Sequence, residues 1–262
     1  MTPVNSIACA SIAMPESKIR EILLLDPIWS AYALADLAPQ HAAFCRWYHS
    51  SEGVVLAYLG FTPPVLFAAG QNEDVVTLTT QVPPGEYQYT LLGEHRFSLE
   101  PMLSVQSELQ MWRMSFEGDS PEMDPSLDSR RLSGEDLDSV NTLFADHADR
   151  PDAFHPRQLE EGPFYGAFHE EELIAVAGVH VLSERASMAA IGNVFTHPKN
   201  RGQGFGRKVS TQVIRELRSM GIQTIVLNVA KKNIAAVQMY QGLGFQTHCG
   251  YYEGRGELHA QP

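Results

Sequence analysis

The chain has 262 residues, 44% hydrophobic and 19% charged, with a formal charge of −12 at neutral pH. That balance describes a soluble globular protein long enough for one large domain or two ordinary ones. It argues against a nucleic-acid binder, whose affinity rests on neutralising phosphates. No apolar run approaches the ~18 residues of a membrane helix, and no basic residue precedes the mildly apolar residues 1–14, as it would in a signal peptide. Three widely spaced cysteines, Cys9, Cys45 and Cys249, form neither a disulfide framework nor a zinc pattern, and none of the ten histidines has metal-ligand spacing. The expectation is a reduced, cytoplasmic protein without a metal or a membrane partner.

In chain order, residues 17–25 and 29–37 read as short helices, the second stopped by Pro39. Strand patterns follow at 43–49, 54–60 and 65–69, with turns at 50–53 and at Pro63-Pro64. Residues 73–80 fit helix or strand; Pro83-Pro84-Gly85 is a turn, 86–92 a strand, and 110–116 a further strand. Residues 117–125 then carry two prolines, a glycine and four acidic groups, with too little apolar content to pack, which predicts a linker. The expected division is therefore an α/β domain at 1–118, a linker at 119–126 and a second domain at 127–262. The first part is the acidic one, with 5 Lys/Arg against 15 Asp/Glu over residues 1–125.

The second part is better ordered. A short strand at 129–132 runs into Ser133-Gly-Glu-Asp136, which resembles a capping box, and a helix carrying Leu137, Val140, Leu143 and Phe144. A loop spans 149–156. Strands at 164–168 and 173–181 flank the acidic turn 169–172, and a strand at 191–196 ends at Arg201-Gly202-Gln203-Gly204-Phe205-Gly206. Phe205, Val209, Val213, Leu217 and Met220 then place one apolar stripe on a helix, and Gly221 stands where a helix end takes a left-handed residue. A strand at 224–229, a helix at 234–241 capped by Asn233 and a last strand beginning at Gly242-Leu-Gly-Phe245 complete the succession. The order β-α-β-β-β-α-β-α-β predicts a mixed sheet with helices on its faces, an α/β or α+β fold.

The glycines fall where a strand hands over to a helix. Without a Cβ the backbone can approach a ligand closely, and a helix start offers unpaired N–H groups at the positive end of its dipole. That is an anion site suited to phosphate. Residues 197–232 hold eight Lys/Arg and one acidic residue, Glu216, a basic island in an acidic chain. A nucleotide P-loop is excluded, because Gly206 is followed by Arg207 and Lys208 rather than Lys-Ser/Thr. The dinucleotide fingerprint is excluded because Arg207 stands where its third glycine belongs.

Three motifs in the right order resemble the GNAT superfamily of N-acetyltransferases. Arg201-x-x-Gly204-x-Gly206 is similar to its acyl-CoA loop. Val194-Phe-Thr-His-Pro198 resembles the strand that precedes that loop, and the Asn233 to Phe245 segment resembles its N-x-x-A-x-x-x-Y-x-x-x-G-F signature. The resemblance covers roughly residues 127–255, and the preceding domain is similar in placement to that of glycine N-acyltransferase-like or tandem members. It implies a GNAT fold in the second half and acetyl-CoA as acyl donor. The backbone of Val194, Phe195 and Thr196 would hold the pantetheine arm. Arg201, Gly202, Gln203, Gly204, Phe205, Gly206 and Arg207 would hold the pyrophosphate. Asn228 and Asn233 would line the channel, and Tyr240 would protonate the departing thiolate. Many members carry a glutamate base one residue before the strand's Ile; here Ala190 stands there, leaving His180, His155 or a base acting through water as alternatives.

The leading expectation is N-acetyl transfer to the primary amine of a small molecule. A second reading is an acyl-CoA-binding regulatory module without turnover, consistent with Ala190. A third makes the first half, whose strand succession loosely echoes the second, a scaffold for homodimer formation.

Overall fold

The computed structural model describes residues 16–119, 129–147, 149–151 and 153–260. Two short helices come first, α1 (Glu16–Leu23) and α2 (Ala31–Asp36). Strands β1 (Cys45–His49), β2 (Gly53–Tyr58) and β3 (Val65–Gly70) form an antiparallel meander. Helix α3 (Asn72–Thr79) crosses over to β4 (Gly85–Leu92), parallel to β3. The ambiguous run 73–80 is thus helical, with Val75 and Leu78 three apart and both buried. Helix α4 (Gly93–Ser98), which no pattern announced, leads to the long β5 (Leu103–Phe116).

The second half opens with β6 (Ser129–Arg131), the expected capping box at Ser133 and Asp136, and α5 (Leu137–Phe144). After α6 (Gln158–Glu161) come β7 (Tyr165–His169), β8 (Glu172–Ser183) and β9 (Met188–Thr196), again antiparallel. Helix α7 (Phe205–Ser219) crosses to β10 (Thr224–Ala230), parallel to β9. Helix α8 (Ile234–Leu243) and β11 (Phe245–Leu258) close the chain.

Among the described residues all strands join one sheet, in the order β1-β2-β3-β4-β11-β5-β10-β9-β8-β7-β6. β5 lies between β10 and β11, and β11 lies between β4 and β5. Each half therefore inserts its last long strand into the sheet of the other. Read outward from the β5–β11 seam, the pairings repeat: antiparallel to β4 or β10, then parallel to β3 or β9, then antiparallel to β2 or β8. The expected boundary at residue 118 falls just after β5, so the two expected domains share this one sheet. Of the expected linker only Asp119 lies within the described residues.

Alternation along the strands sets the layers. Ala189 and Ile191 of β9 pack with Val209, Val213 and Leu217 of α7, whereas Met188 and Ala190 pack with Ile19, Trp29 and Leu34 from α1, α2 and their connection. On β3, Leu66 and Ala68 pack with α3, and Phe67 and Ala69 with α1 and α2. α3 and α7 thus sit on one face, and α1 and α2 cross the middle of the other. Val209, Val213, Ile214 and Leu217 have no exposed surface; burying each stabilises the fold by roughly 2 kcal/mol. Met220, expected on the same stripe, lies beyond the last turn and is exposed. Gly221 (φ +80°) ends α7 as expected: its amide donates to Arg218 and that of Ile222 to Leu217, two otherwise orphaned carbonyls. No helix among the described residues is long and apolar enough to cross a membrane.

Candidate active site

β9 and β10 are paired only at their beginnings. Their rungs run from Met188↔Thr224 to Ile191↔Leu227 and stop there. Beyond that rung β9 stays on β8 as far as Thr196↔Ala175, and β10 stays on β5 as far as Ala230↔Met111. The two strands diverge, and residues 192–196 have no strand partner on the β10 side. A pair of bulges accompanies the divergence. β9 carries an extra residue between Gly192 and Phe195, and β8 carries one between Val179 and Val181, namely His180. Asn193 takes a left-handed conformation (φ +52°) in the first of them. Ile191 and Val194, three apart instead of two, consequently face the same core.

The open end of this cleft meets the glycine loop. Gly202 (φ +76°) and Gly204 (φ +88°) are left-handed, and no atom lies within 4 Å of where a Cβ would stand on either. Gly204 is the N-cap of α7, and the first intrahelical bond runs from the Lys208 amide to its carbonyl at 3.0 Å. The amides of Phe205, Gly206 and Arg207 therefore come before that bond. The first turn contains no acidic residue. Gly206 brings the helix close to β9, since a Cβ there would lie 3.1 Å from Thr196 Oγ1.

The other expected site residues take definite places. The Arg201 side chain folds back: Nε donates to the Thr196 carbonyl (3.0 Å), Nη2 pairs with Asp149 (2.7 Å), and the guanidinium lies over Phe195. Gln203 reaches the Lys199 carbonyl at 3.4 Å. Asn233 caps α8, its side chain accepting from the Ala236 amide. Asn228 follows the last β9–β10 rung directly, and its Oδ1 is buried without a hydrogen-bond partner. Tyr240 is buried beside Phe245, and burial drives its pKa well above the ordinary tyrosine value. Ala190 is buried beneath α1 and α2. His155 is exposed, its ring accepting from the Arg157 amide. His180 is half-buried beside the β9 bulge.

The first half contains the counterpart of this cleft, closed. β3 and β4 also part after a last rung, Phe67↔Thr90. Here the carbonyls beyond the rung are taken by side chains: Trp29 Nε1 donates to Ala68 at 2.9 Å and His95 Nε2 to Gly70 at 3.0 Å. Both side chains are fully buried, and burial holds His95 below the ordinary imidazole pKa, in its neutral form. The crossover helix α3 opens with Glu73 and Asp74, the opposite charge to that at α7. Sequence reasoning read Trp29 as the start of a helix at 29–37 and missed this role. It also missed Asn193, although Gly192-Asn193 inside an apolar strand is a turn-type pair that signals a bulge.

Residues 133–245 match the sequence profile of the Acetyltransferase (GNAT) family. A mycothiol acetyltransferase of Stackebrandtia nassauensis is 31% identical over 132 residues, 46% of this chain and 42% of that protein. One from Thermobispora bispora is 39% identical over 70 residues, 26% of this chain and 23% of that protein. The chain thus spans less than half the length of these curated relatives. A GNAT-family crystal structure from Novosphingobium aromaticivorans superimposes with a TM-score of 0.59 at 20% identity, covering 90% of this chain and 97% of its own. The mixed α/β sheet is that of the GNAT acyl-CoA N-acyltransferases across most of the chain, and residues 133–245 form a GNAT-family acetyltransferase domain.

Proposed function

We propose that the protein is an N-acetyltransferase that moves an acetyl group from acetyl-CoA to the primary amine of a small molecule, by direct attack within a ternary complex. The observation that carries this reading is the divergence of β9 and β10 after Ile191↔Leu227, at the head of a cleft whose other end is the glycine loop. An extended chain laid in that cleft can pair with the backbone of Val194, Phe195 and Thr196 as an added strand. A pyrophosphate at the open end meets the amides of residues 202–207 and the start of α7. The residues fit such a ligand. The space around Gly202 and Gly204 is open, and Asn228 holds a buried acceptor in need of a donor. A pantetheine amide is a donor of that kind. Arg201 contributes through its backbone, because its side chain is engaged with Thr196 and Asp149. Asn233 fixes the start of α8, and α8 sets Tyr240.

Acetyl-CoA supplies the activated acyl group. The protein must take a proton from the attacking ammonium and stabilise the oxygen and sulfur that gain charge. Burial raises the pKa of Tyr240 and keeps its phenol protonated across the working range, so it stands as a hydrogen-bond donor to the sulfur and hands on a proton only as it receives one. The acceptor side is the face that α1 and α2 cover, which favours a small acceptor over a folded protein surface. On this reading the first half is a second copy of the fold whose donor cleft Trp29 and His95 have filled, so one acetyl-CoA binds per chain. We place the protein in the cytoplasm.

A second reading, an acyl-CoA-binding regulatory module, draws on Ala190, which offers no carboxylate in a buried setting. A thiol-release assay over a panel of primary amines separates the two. Release with one of the amines supports transfer; saturable acetyl-CoA binding with no release on any amine supports the regulatory module.

A further inference from the structure

The acetyl-transfer reading requires a base, and Ala190 is not one. The acceptor face of the cleft nevertheless holds a connected set of polar side chains drawn from both halves. His180 is the extra residue of the β8 bulge, and Asn193 belongs to the complementary bulge of β9. The imidazole lies against Gly192: a Cβ on that glycine would be 2.3 Å from ring atoms. His180 Nε2 is 3.2 Å from Asn193 Oδ1, and Asn193 Nδ2 donates to Gln158 Oε1 at 2.9 Å. Gln158 Oε1 also accepts the His155 amide. With its amide nitrogen so engaged, Asn193 presents its oxygen to the ring. Nε2 of His180 is then the donor to Asn193. Nδ1 is turned toward the hydroxyl of Tyr32, 3.4 Å away, from α2 of the first half.

Two bulges and a side-chain-free position for the ring are a costly arrangement for packing alone, and bulges commonly re-aim side chains beside reacting centres. Gly192, on which the ring rests, is the first residue beyond the last β9–β10 rung, at the end of the cleft opposite the glycine loop. The other groups that face Tyr32 come from β5 and β11. The Arg113 guanidinium lies 4.8 Å over its ring, and the Glu253 carboxylate acts on it electrostatically.

We propose that Tyr32 and His180 form the relay that deprotonates the acceptor, with Asn193 as the positioning residue that fixes the imidazole tautomer; this rests on the acetyl-transfer reading. The acceptor's ammonium gives one proton to the Tyr32 oxygen while the phenolic proton passes to His180 Nδ1. The freed nitrogen lone pair forms the C–N bond at the thioester carbonyl. The C–S bond breaks with its electron pair on sulfur, and the second N–H proton passes to that sulfur through Tyr240, giving amide and free thiol. His180 then returns its proton through Tyr32 to solvent. The first half is on this account part of the active site: removing it removes Tyr32.

The test uses the full chain and its Tyr32→Phe, His180→Gln and Asn193→Gly variants. Nitrogen-15 NMR of the imidazoles in ligand-free protein reads the tautomer without any turnover. The relay predicts the Nε2–H form for His180, with a shifted Nδ1 signal in Tyr32→Phe. An Nδ1–H form overturns it. Calorimetry with acetyl-CoA and thiol release over the amine panel, from pH 5.5 to 9.5, read the chemistry. Expected are unchanged acetyl-CoA affinity in all variants and kcat lowered about 100-fold in Tyr32→Phe and His180→Gln. Turnover by His180→Gln at the wild-type rate overturns the relay while leaving acetyl transfer intact. Absence of acetyl-CoA binding, or of release on any amine, by the wild-type protein overturns the transfer reading and the relay with it.

Discussion

Ile191 of β9 and Leu227 of β10 form the last rung between two parallel strands that then separate. Both side chains are buried in the core beneath α7, which pins the point of separation. The groups assigned to the donor lie on the strands beyond that rung, at the loop that starts α7, or on α8.

Gly204 tests the loop. Its φ of +88° suits glycine, and the space beside it is open. Gly204→Ala should cost about 1 kcal/mol from the left-handed backbone alone, a fall in Tm of roughly 2–4 °C for a chain of this size. Gly204→Glu should lose the same stability and in addition abolish acetyl-CoA binding, through a carboxylate set at the pyrophosphate. Thermal melts with and without acetyl-CoA check both: ligand should raise Tm for the wild type and leave Gly204→Glu unmoved.

Tyr240→Phe should keep acetyl-CoA affinity and lower kcat about 100-fold, the usual scale for removing a positioned proton donor. Because burial raises the phenol's pKa, Tyr240 should contribute no falling limb below about pH 10 in the wild-type profile. Steady-state kinetics over pH decide it, and unchanged turnover removes Tyr240 from the chemistry.

The fit of His180 on Gly192 can be measured without any substrate. Gly192→Ala should destabilise the protein by about 1–3 kcal/mol, the common cost of overpacking. In a His180→Ala background the same change should cost less than about 0.5 kcal/mol, giving a coupling well above additivity error. Urea unfolding of the four proteins in the cycle supplies the numbers; equal costs in both backgrounds would place the imidazole elsewhere.

Asp36, at the end of α2, is half-buried in surface terms, yet burial pushes its carboxyl up to about 7. A carboxyl whose folded pKa is raised binds its proton more tightly in the native state than in the unfolded chain. The contribution of this group to stability is therefore most favourable below the unfolded value near 4, falls as pH rises toward about 7, and is level above that. Asp36→Asn should flatten this slope and be the more stable protein at pH 8, as denaturation midpoints at pH 5 and pH 8 can show.

Local features were legible in the residues. The capping box at Ser133 and Asp136, the left-handed Gly221, the cap at Asn233 and the glycine loop all rest on contacts within a few positions, and each stands as expected. The sheet order was not legible. β5 alternates weakly, with exposed residues on both faces over much of its length, so only 110–116 read as a strand. Its place between β10 and β11 depends on pairing across more than 100 residues, which no local pattern records. The closed cleft of the first half was hidden for the same reason: Trp29 meets Ala68 only after folding. Tyr32 and His180, 148 positions apart, have no common motif.

Calorimetric titration of acetyl-CoA into the 262-residue chain tests the central claim most directly. An open cleft between β9 and β10 and a filled one between β3 and β4 predict saturable binding with one molecule per chain, lost in Gly204→Glu. No heat of binding at millimolar acetyl-CoA, or saturation at two molecules per chain, would contradict it.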